Sequence, residues 1–195
     1  MPYLILTVLW MLFYLSHTLL ASLKIKRKIR ASMGRTYKWY RLLYSLGSLF
    51  VIFFILFYSA LIPSFPILVP SELLTYIGFV LAGIGTMIAI KSFKGQSLSR
   101  FLGMEPHDDL EVKELLTTLG PYEWVRHPLY AGLILVFLGF FLYLPHLTSL
   151  IHLLALLGYL PFGIYFEEKK LLAQYGQAYV DYRSKVPALF PKLKK

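Results

Sequence analysis

Residues 127–168 read HPLYAGLILVFLGFFLYLPHLTSLIHLLALLGYLPFGIYFEE, two apolar runs, Leu129–Leu144 and Leu147–Phe166, parted only by Pro145-His146. Roughly 20 predominantly apolar residues, in a range of about 17–25, carry a helix across the hydrocarbon core. Two apolar runs, the first of them short of that range, around a two-residue turn predict a helical hairpin whose outer ends return to one face. Those ends carry the charge: Arg126-His127 before Pro128, and Glu167-Glu168 after Phe166.

Outward from the hairpin, Tyr3–Leu23, Trp39–Ile62 and Leu73–Ile90 are also apolar. The sequence therefore predicts an all-α polytopic membrane protein of five spans, with the third and fourth shorter than the rest. Composition agrees: 57% of the 195 residues are hydrophobic and only 15% charged, where soluble domains run near half and a quarter. One membrane-embedded unit over 1–195 is expected: a helix pair (1–62), a third helix (63–90), a polar connection (91–127) and a hairpin with its tail (128–195). The first span has no basic stretch before it and no small-residue cleavage site after it, so it reads as an uncleaved anchor. No cysteine is present, which excludes disulfides, thiolate metal sites and a Cys nucleophile.

The net charge of +10 would suggest nucleic acid in a soluble protein. Here its placement points to the bilayer instead. Every Lys and Arg falls in Lys24–Arg41, Lys91–Arg126 or Lys169–Lys195, whereas 63–72 and 145–146 hold none. Cytoplasmic loops are enriched in Lys and Arg, so the N-terminus is expected outside and the C-terminus in the cytoplasm. No nucleic-acid partner is expected.

Along the chain, Gly78, Ala82, Gly85 and Ala89 form a small-residue row at helical spacing, the pattern of close helix packing. Gly83-Ile84-Gly85 lies within that helix and lacks the strand a dinucleotide loop needs. His107-Asp108-Asp109 reads as a solvated turn, because three adjacent residues rarely converge on one metal ion. Pro161 cannot donate to the Leu157 carbonyl, so a kink is expected in the fifth span. After Glu168, Leu171, Leu172, Tyr175, Tyr179, Tyr182 and Val186 mark one face of an amphipathic cytoplasmic helix. His17 lies inside the first span, where an ionisable side chain is a functional candidate.

Two acids at a helix C-terminus oppose its dipole and need a cation to offset them. Arg126 can supply it structurally; a bound cationic ligand is the other way. The segment Gly120-Pro121-Tyr122-Glu123-Trp124-Val125-Arg126-His127-Pro128-Leu129-Tyr130-Ala131-Gly132 resembles the G-x-Y-x-x-x-R-H-P-x-Y-x-G motif of integral-membrane methyltransferases. These form the isoprenylcysteine carboxyl methyltransferase and phospholipid methyltransferase superfamily. Glu167-Glu168, Leu171, Tyr175-Gly176, Tyr179, Tyr182 and Val186-Pro187 are similar to that superfamily's ending. Ser16–Ser22 and Arg35-Thr36-Tyr37 resemble, more loosely, its NnrU-like and methanethiol S-methyltransferase branch.

The resemblance implies S-adenosylmethionine as methyl donor, held by Thr117, Tyr122, His127, Tyr130, Glu167 and Glu168. It also implies Arg126 as a catalytic residue, and a lipophilic or small thiol or carboxylate acceptor; His17, from its place within the first span, is read as a second catalytic residue that orients or deprotonates an acceptor such as a thiol. An R-H-P-x-Y segment also occurs in NADPH-dependent sterol-type reductases, but Asn usually precedes their Tyr where Leu129 stands here. A non-enzymatic membrane scaffold or carrier is the third reading.

Overall fold

The computed structural model describes residues 1–93, 99, 102–106, 108, 110 and 115–191. Among them the elements are helices α1 (Pro2–Ala21), α2 (Leu23–Met33), α3 (Tyr40–Ala60), α4 (Glu72–Ser92), α5 (Pro128–Tyr143), α6 (Leu147–Tyr175) and α7 (Gln177–Lys185). Two 3-10 segments, Gly34–Trp39 and Gly120–Glu123, join them. Four helical stretches are long and apolar enough to cross a membrane; α5, at 16 residues, is apolar but shorter. The chain divides into two compact units, Met1–Pro63 with Gln96–Glu114, and Ser64–Gly95 with Leu115–Lys195.

In the first unit, α1 and α3 pair through an aromatic ladder. Tyr37 stacks on Tyr40 (5.4 Å) and Tyr40 on Tyr44 (6.2 Å); Tyr44 meets His17 (4.9 Å), and His17 meets Phe13 (5.5 Å). Such ring pairs contribute beyond the area they bury, and hydroxyls lock the register: Tyr40 donates to the Leu20 carbonyl (2.9 Å) and Tyr44 to that of His17 (3.2 Å). The outer face of α3, with Leu46, Phe50, Phe53 and Phe57, stays exposed. An apolar face of that extent suits lipid rather than water.

The basic segment, read from sequence as a loop, is helical from Leu23 to Met33. Ser22 makes this so: its extended backbone ends α1, and its hydroxyl accepts the Ile25 N–H (3.5 Å) as the N-cap of α2.

In the second unit, α5 packs between α4 and α6. The α4–α5 contact is backbone against backbone, as the small-residue row predicts. A Cβ on Gly78 would lie 2.6 Å from the Gly139 carbonyl oxygen, and one on Gly132 2.6 Å from that of Gly85. The two glycine pairs lie seven residues apart on each helix, two turns of an antiparallel seam. Ala82 packs against Gly139 and Ala89 against Gly132.

Helix α4 runs longer than its apolar stretch. Ser71 caps it by accepting the Leu74 N–H (3.3 Å), and Lys91-Ser92 extend it. The turn between α5 and α6 is pinned by residues 65–67: Leu147 N–H donates to the Phe65 carbonyl (2.8 Å) and Ile67 N–H to that of Pro145 (2.7 Å). Pro161 lies in the interior of α6.

The expected amphipathic helix is split. Helix α6 continues past the apolar run to Tyr175, Gly176 breaks it with φ +55°, and the nine-residue α7 follows. Only glycine adopts that backbone conformation at little cost, so the chain turns here and brings Tyr179 and Tyr182 back toward the end of α6.

Candidate active site

The site is assembled where α5 begins, and its local geometry follows from Pro128. A residue before proline is pushed out of the helical region, and His127 accordingly lies outside it (φ −123°, ψ 64°). Its backbone pairs with the segment after α7: Arg126 N–H donates to the Pro187 carbonyl (2.8 Å) and His127 N–H to that of Ala188 (3.0 Å). Just upstream, Glu123 accepts the Gly120 N–H (3.0 Å) and closes the 3-10 turn.

This pairing places Arg126 against Glu168, about two turns before α6 ends at Tyr175, so the two acids lie inside the helix and not, as expected, at its C-terminus. Its Nε (2.9 Å) and Nη2 (2.5 Å) both donate to Glu168 Oε1, and its Nη1 donates to the backbone carbonyls of Val186 (2.5 Å) and Arg183 (3.2 Å). Arg183 Nη1 approaches Glu168 Oε2 at 3.3 Å. The two acids therefore differ in kind. The Glu168 side chain is 8% exposed and enclosed by two arginines, whereas that of Glu167 is 44% exposed.

His127, almost fully buried, lies between them, with Nε2 3.2 Å from Glu168 Oε1 and Nδ1 3.5 Å from Glu167 Oε2. Its ring stacks on Tyr130 at 5.7 Å and 24°.

Three tyrosines complete the wall. The Tyr182 hydroxyl donates to the Tyr122 carbonyl (2.6 Å). Tyr179 is 1% exposed, and among the described residues its hydroxyl makes no well-formed hydrogen bond, although the Arg126 guanidinium lies within reach of it. Burial, and then the charge of Glu168, push its pKa up to about 12. Burial followed by the neighbouring Tyr179 raises that of Tyr182, and burial followed by Glu167 raises that of Tyr122. Unpaired buried hydroxyls are rare because each loses its water without compensation.

The structure thus brings together Tyr122, Arg126, His127, Tyr130, Glu167 and Glu168 from the sequence-based set. Thr117 lies half-buried in the irregular run before Gly120, and no hydrogen bond from that cluster reaches it among the described residues. His17 belongs to the first unit, where its Nδ1 faces Ser48 Oγ at 3.3 Å. Asp108 pairs with Arg30 (2.7 Å); His107 and Asp109 lie outside the described residues. Sequence reading does not place Arg183 or Tyr179 in the site. Tyr179 reads as part of an apolar face, and its spacing four residues from Tyr175 carries no sign that Gly176 intervenes with a turn.

Beside the Arg126-His127 step is an apolar hollow of about 430 Å³, lined among others by Ile88, Trp124, Val125, Pro128, Leu135 and Phe190.

A model of the phospholipid methyltransferase family matches residues 73–178. Over 74 residues the chain is 40% identical to methanethiol S-methyltransferase 2 of Bradyrhizobium diazoefficiens, covering 37% of this chain and 27% of that protein. It is 38% identical over 72 residues to methanethiol S-methyltransferase of Mycobacterium tuberculosis, 36% and 28% of the two chains. With protein-S-isoprenylcysteine O-methyltransferase of Schizosaccharomyces pombe it shares 36% identity over 98 residues, 50% and 40% of the two. The matched stretches thus span between 27% and 40% of these relatives' lengths. No solved structure matches.

Proposed function

Because the chain belongs to the phospholipid methyltransferase family, we propose that it is a five-span membrane enzyme transferring methyl from S-adenosylmethionine at the cytoplasmic face. The acceptor would be a small thiol or a lipophilic thiol or carboxylate compound. The observation that carries this reading is the division of labour between the two acids. An ammonium ligand needs a carboxylate that is not already neutralised, and Glu167 is half-exposed beside a buried histidine while Glu168 is held by Arg126 and Arg183.

The side chains present fit the cofactor's groups. Glu167 takes the ammonium: a unit-charge pair at 4 Å is worth about 1 kcal/mol in water and about 4 kcal/mol at an effective dielectric near 20, and a half-buried carboxylate lies between. Arg183, half-exposed with one nitrogen on Glu168, can take a carboxylate. Tyr122, Tyr130 and His127 offer ring faces and polar edges to adenine and ribose. The Tyr179 hydroxyl, which donates to no acceptor among the described residues, gives a buried donor that a ligand atom would satisfy.

When bound, S-adenosylmethionine supplies a methyl group on a positively charged sulfur, open to in-line attack. The protein's part is alignment, which can supply roughly 7–11 kcal/mol of a bimolecular barrier. We assign Arg126 a positioning role in that alignment, since it ties α6, α7 and the 186–188 segment to the start of α5 through one carboxylate and two carbonyls. The bonding of His17 to Ser48 and its tilted ring contact with Tyr44 support helix packing for that residue.

The apolar hollow beside the step supports an acceptor with a lipophilic part, and a dry surrounding favours attack that neutralises the sulfonium charge. The methyltransferase family favours this chemistry over the reductase and scaffold readings.

In nanodiscs, the wild-type chain is expected to bind S-adenosylmethionine, and Glu167→Gln to weaken that binding at least tenfold. Labelled methyl should pass to one member of a panel of small thiols, prenyl-cysteines and phospholipids. Undiminished affinity in Glu167→Gln would sink the assignment of that acid.

A further inference from the structure

The first unit carries a polar hollow, and its chemistry is independent of methyl transfer. We propose that Arg30, Arg35 and Lys38 form a binding site for a phosphate group, supplied by an anionic phospholipid headgroup. The hollow measures about 400 Å³ and is lined by Arg30, Gly34, Arg35, Lys38 and Asp108. Gly34 creates it. This residue ends α2 with φ +54° and ψ −127°, a conformation a side chain would strain. The turn brings Arg30, in the last turn of α2, round to face Arg35 and Lys38 of the 3-10 segment.

Charge decides the ligand class. Three cations surround the hollow, against one carboxylate that is already engaged: Asp108 Oδ2 holds Arg30 Nε (2.7 Å) and its Oδ1 accepts the Leu110 N–H (3.0 Å). Arg35 and Lys38 are exposed and have no side-chain partner among the described residues. The remaining formal charge of about +2 complements a phosphate, and a guanidinium fork matches phosphate oxygens with two parallel hydrogen bonds.

Depth decides the source. The hollow sits where the basic segment gives way to apolar α3, marked by the part-exposed Trp39 and by the Tyr40 hydroxyl on the Leu20 carbonyl at the end of α1. Trp and Tyr collect at the headgroup level of bilayers, where basic residues meet anionic lipid.

The test follows thermal unfolding of the full chain in phosphatidylcholine nanodiscs, because a ligand that binds only the folded state raises Tm in proportion to its occupancy. One arm adds increasing phosphatidylglycerol; the other adds inorganic phosphate at fixed ionic strength. A saturable rise is expected with phosphatidylglycerol. Arg35→Gln/Lys38→Gln should need about tenfold more lipid for the half-maximal rise. Lys24→Gln/Lys28→Gln removes the same charge from α2 outside the hollow and should keep the wild-type midpoint. Asp108→Asn removes the opposing charge and should lower the midpoint.

Saturation with inorganic phosphate alone would keep the phosphate site but overturn the lipid source. The site itself is overturned by no saturable rise in either arm, or by equal losses in the two double variants. If Arg35→Gln/Lys38→Gln does not fold, a midpoint in Asp108→Asn at or above wild type overturns it.

Discussion

Successive side chains on a helix point about 100° apart, and at Glu167 and Glu168 that angle separates two circumstances. Glu168 turns inward to Arg126 and Arg183, and Glu167 outward past His127. Removing one member of a buried ion pair strands the other, at a cost of about 3–5 kcal/mol. Glu168→Gln is therefore expected to lower the unfolding temperature strongly, by a free energy toward the lower end of that range since glutamine still accepts a hydrogen bond. Glu167→Gln should leave stability within about 0.5 kcal/mol of wild type, as surface changes do. Thermal unfolding of both variants without ligand checks the contrast.

Tyr179 yields an expectation in pH. Its pKa is raised from 10 to about 12, so between those values the unfolded chain gives up a proton that the folded chain retains. Stability then falls as pH rises, by about 1.4 kcal/mol per unit, and is untouched below pH 10. Tyr179→Phe should flatten the alkaline decline by one proton, measured as unfolding temperature against pH. At neutral pH the variant should cost little stability, because the hydroxyl it removes donates to no acceptor among the described residues.

The helix seam between α4 and α5 answers to a different change. In Gly132→Ala the new methyl would meet the Gly85 carbonyl oxygen at 2.6 Å and the Ala89 nitrogen at 3.0 Å, backbone atoms that move only if the helices part. Overpacking of this kind costs about 1–3 kcal/mol. Gly83→Ala, on α4 but off the seam, meets nothing within 4 Å and should be neutral or gain up to about 1 kcal/mol of helix propensity. Unfolding temperatures in nanodiscs that fell equally for both would contradict the seam.

That seam was legible in the sequence because small residues at helical spacing have a physical meaning in lipid, where packing rather than water drives association. So was the meeting of Arg126-His127 with the acid pair, since a hairpin fixes which ends coincide. Polar stretches were less legible. The helical state of Leu23–Met33 depends on one serine cap, and the turn at Gly176 on a backbone angle that any helical pattern conceals. Nor does adjacency in sequence say which glutamate faces inward, because that depends on where around α6 the Arg126 guanidinium arrives.

Over the whole chain, the cations alternate between connections in a way that matches five spans and termini on opposite sides of the membrane. Helix α5 is the member on which this depends. Its 16 residues rise about 24 Å at 1.5 Å each, short of a hydrocarbon core of about 30 Å. Two circumstances favour a crossing nonetheless: α5 is packed along α4 through the glycine seam, and bilayers thin locally around short spans at modest cost. The count has a clean readout because the chain has no cysteine. Single variants Ser64→Cys, in the connection before α4, and Ser184→Cys, in α7, would each carry the only thiol, and both positions are exposed. With an impermeant maleimide on intact cells, Ser64→Cys should label directly and Ser184→Cys only after permeabilisation. Were α5 not to cross, α6 would carry the C-terminal segment to the outside and both variants would label directly. The acid pair and Arg126 would then face away from the cytoplasmic pool of methyl donor, and the proposed reaction could not be supplied there.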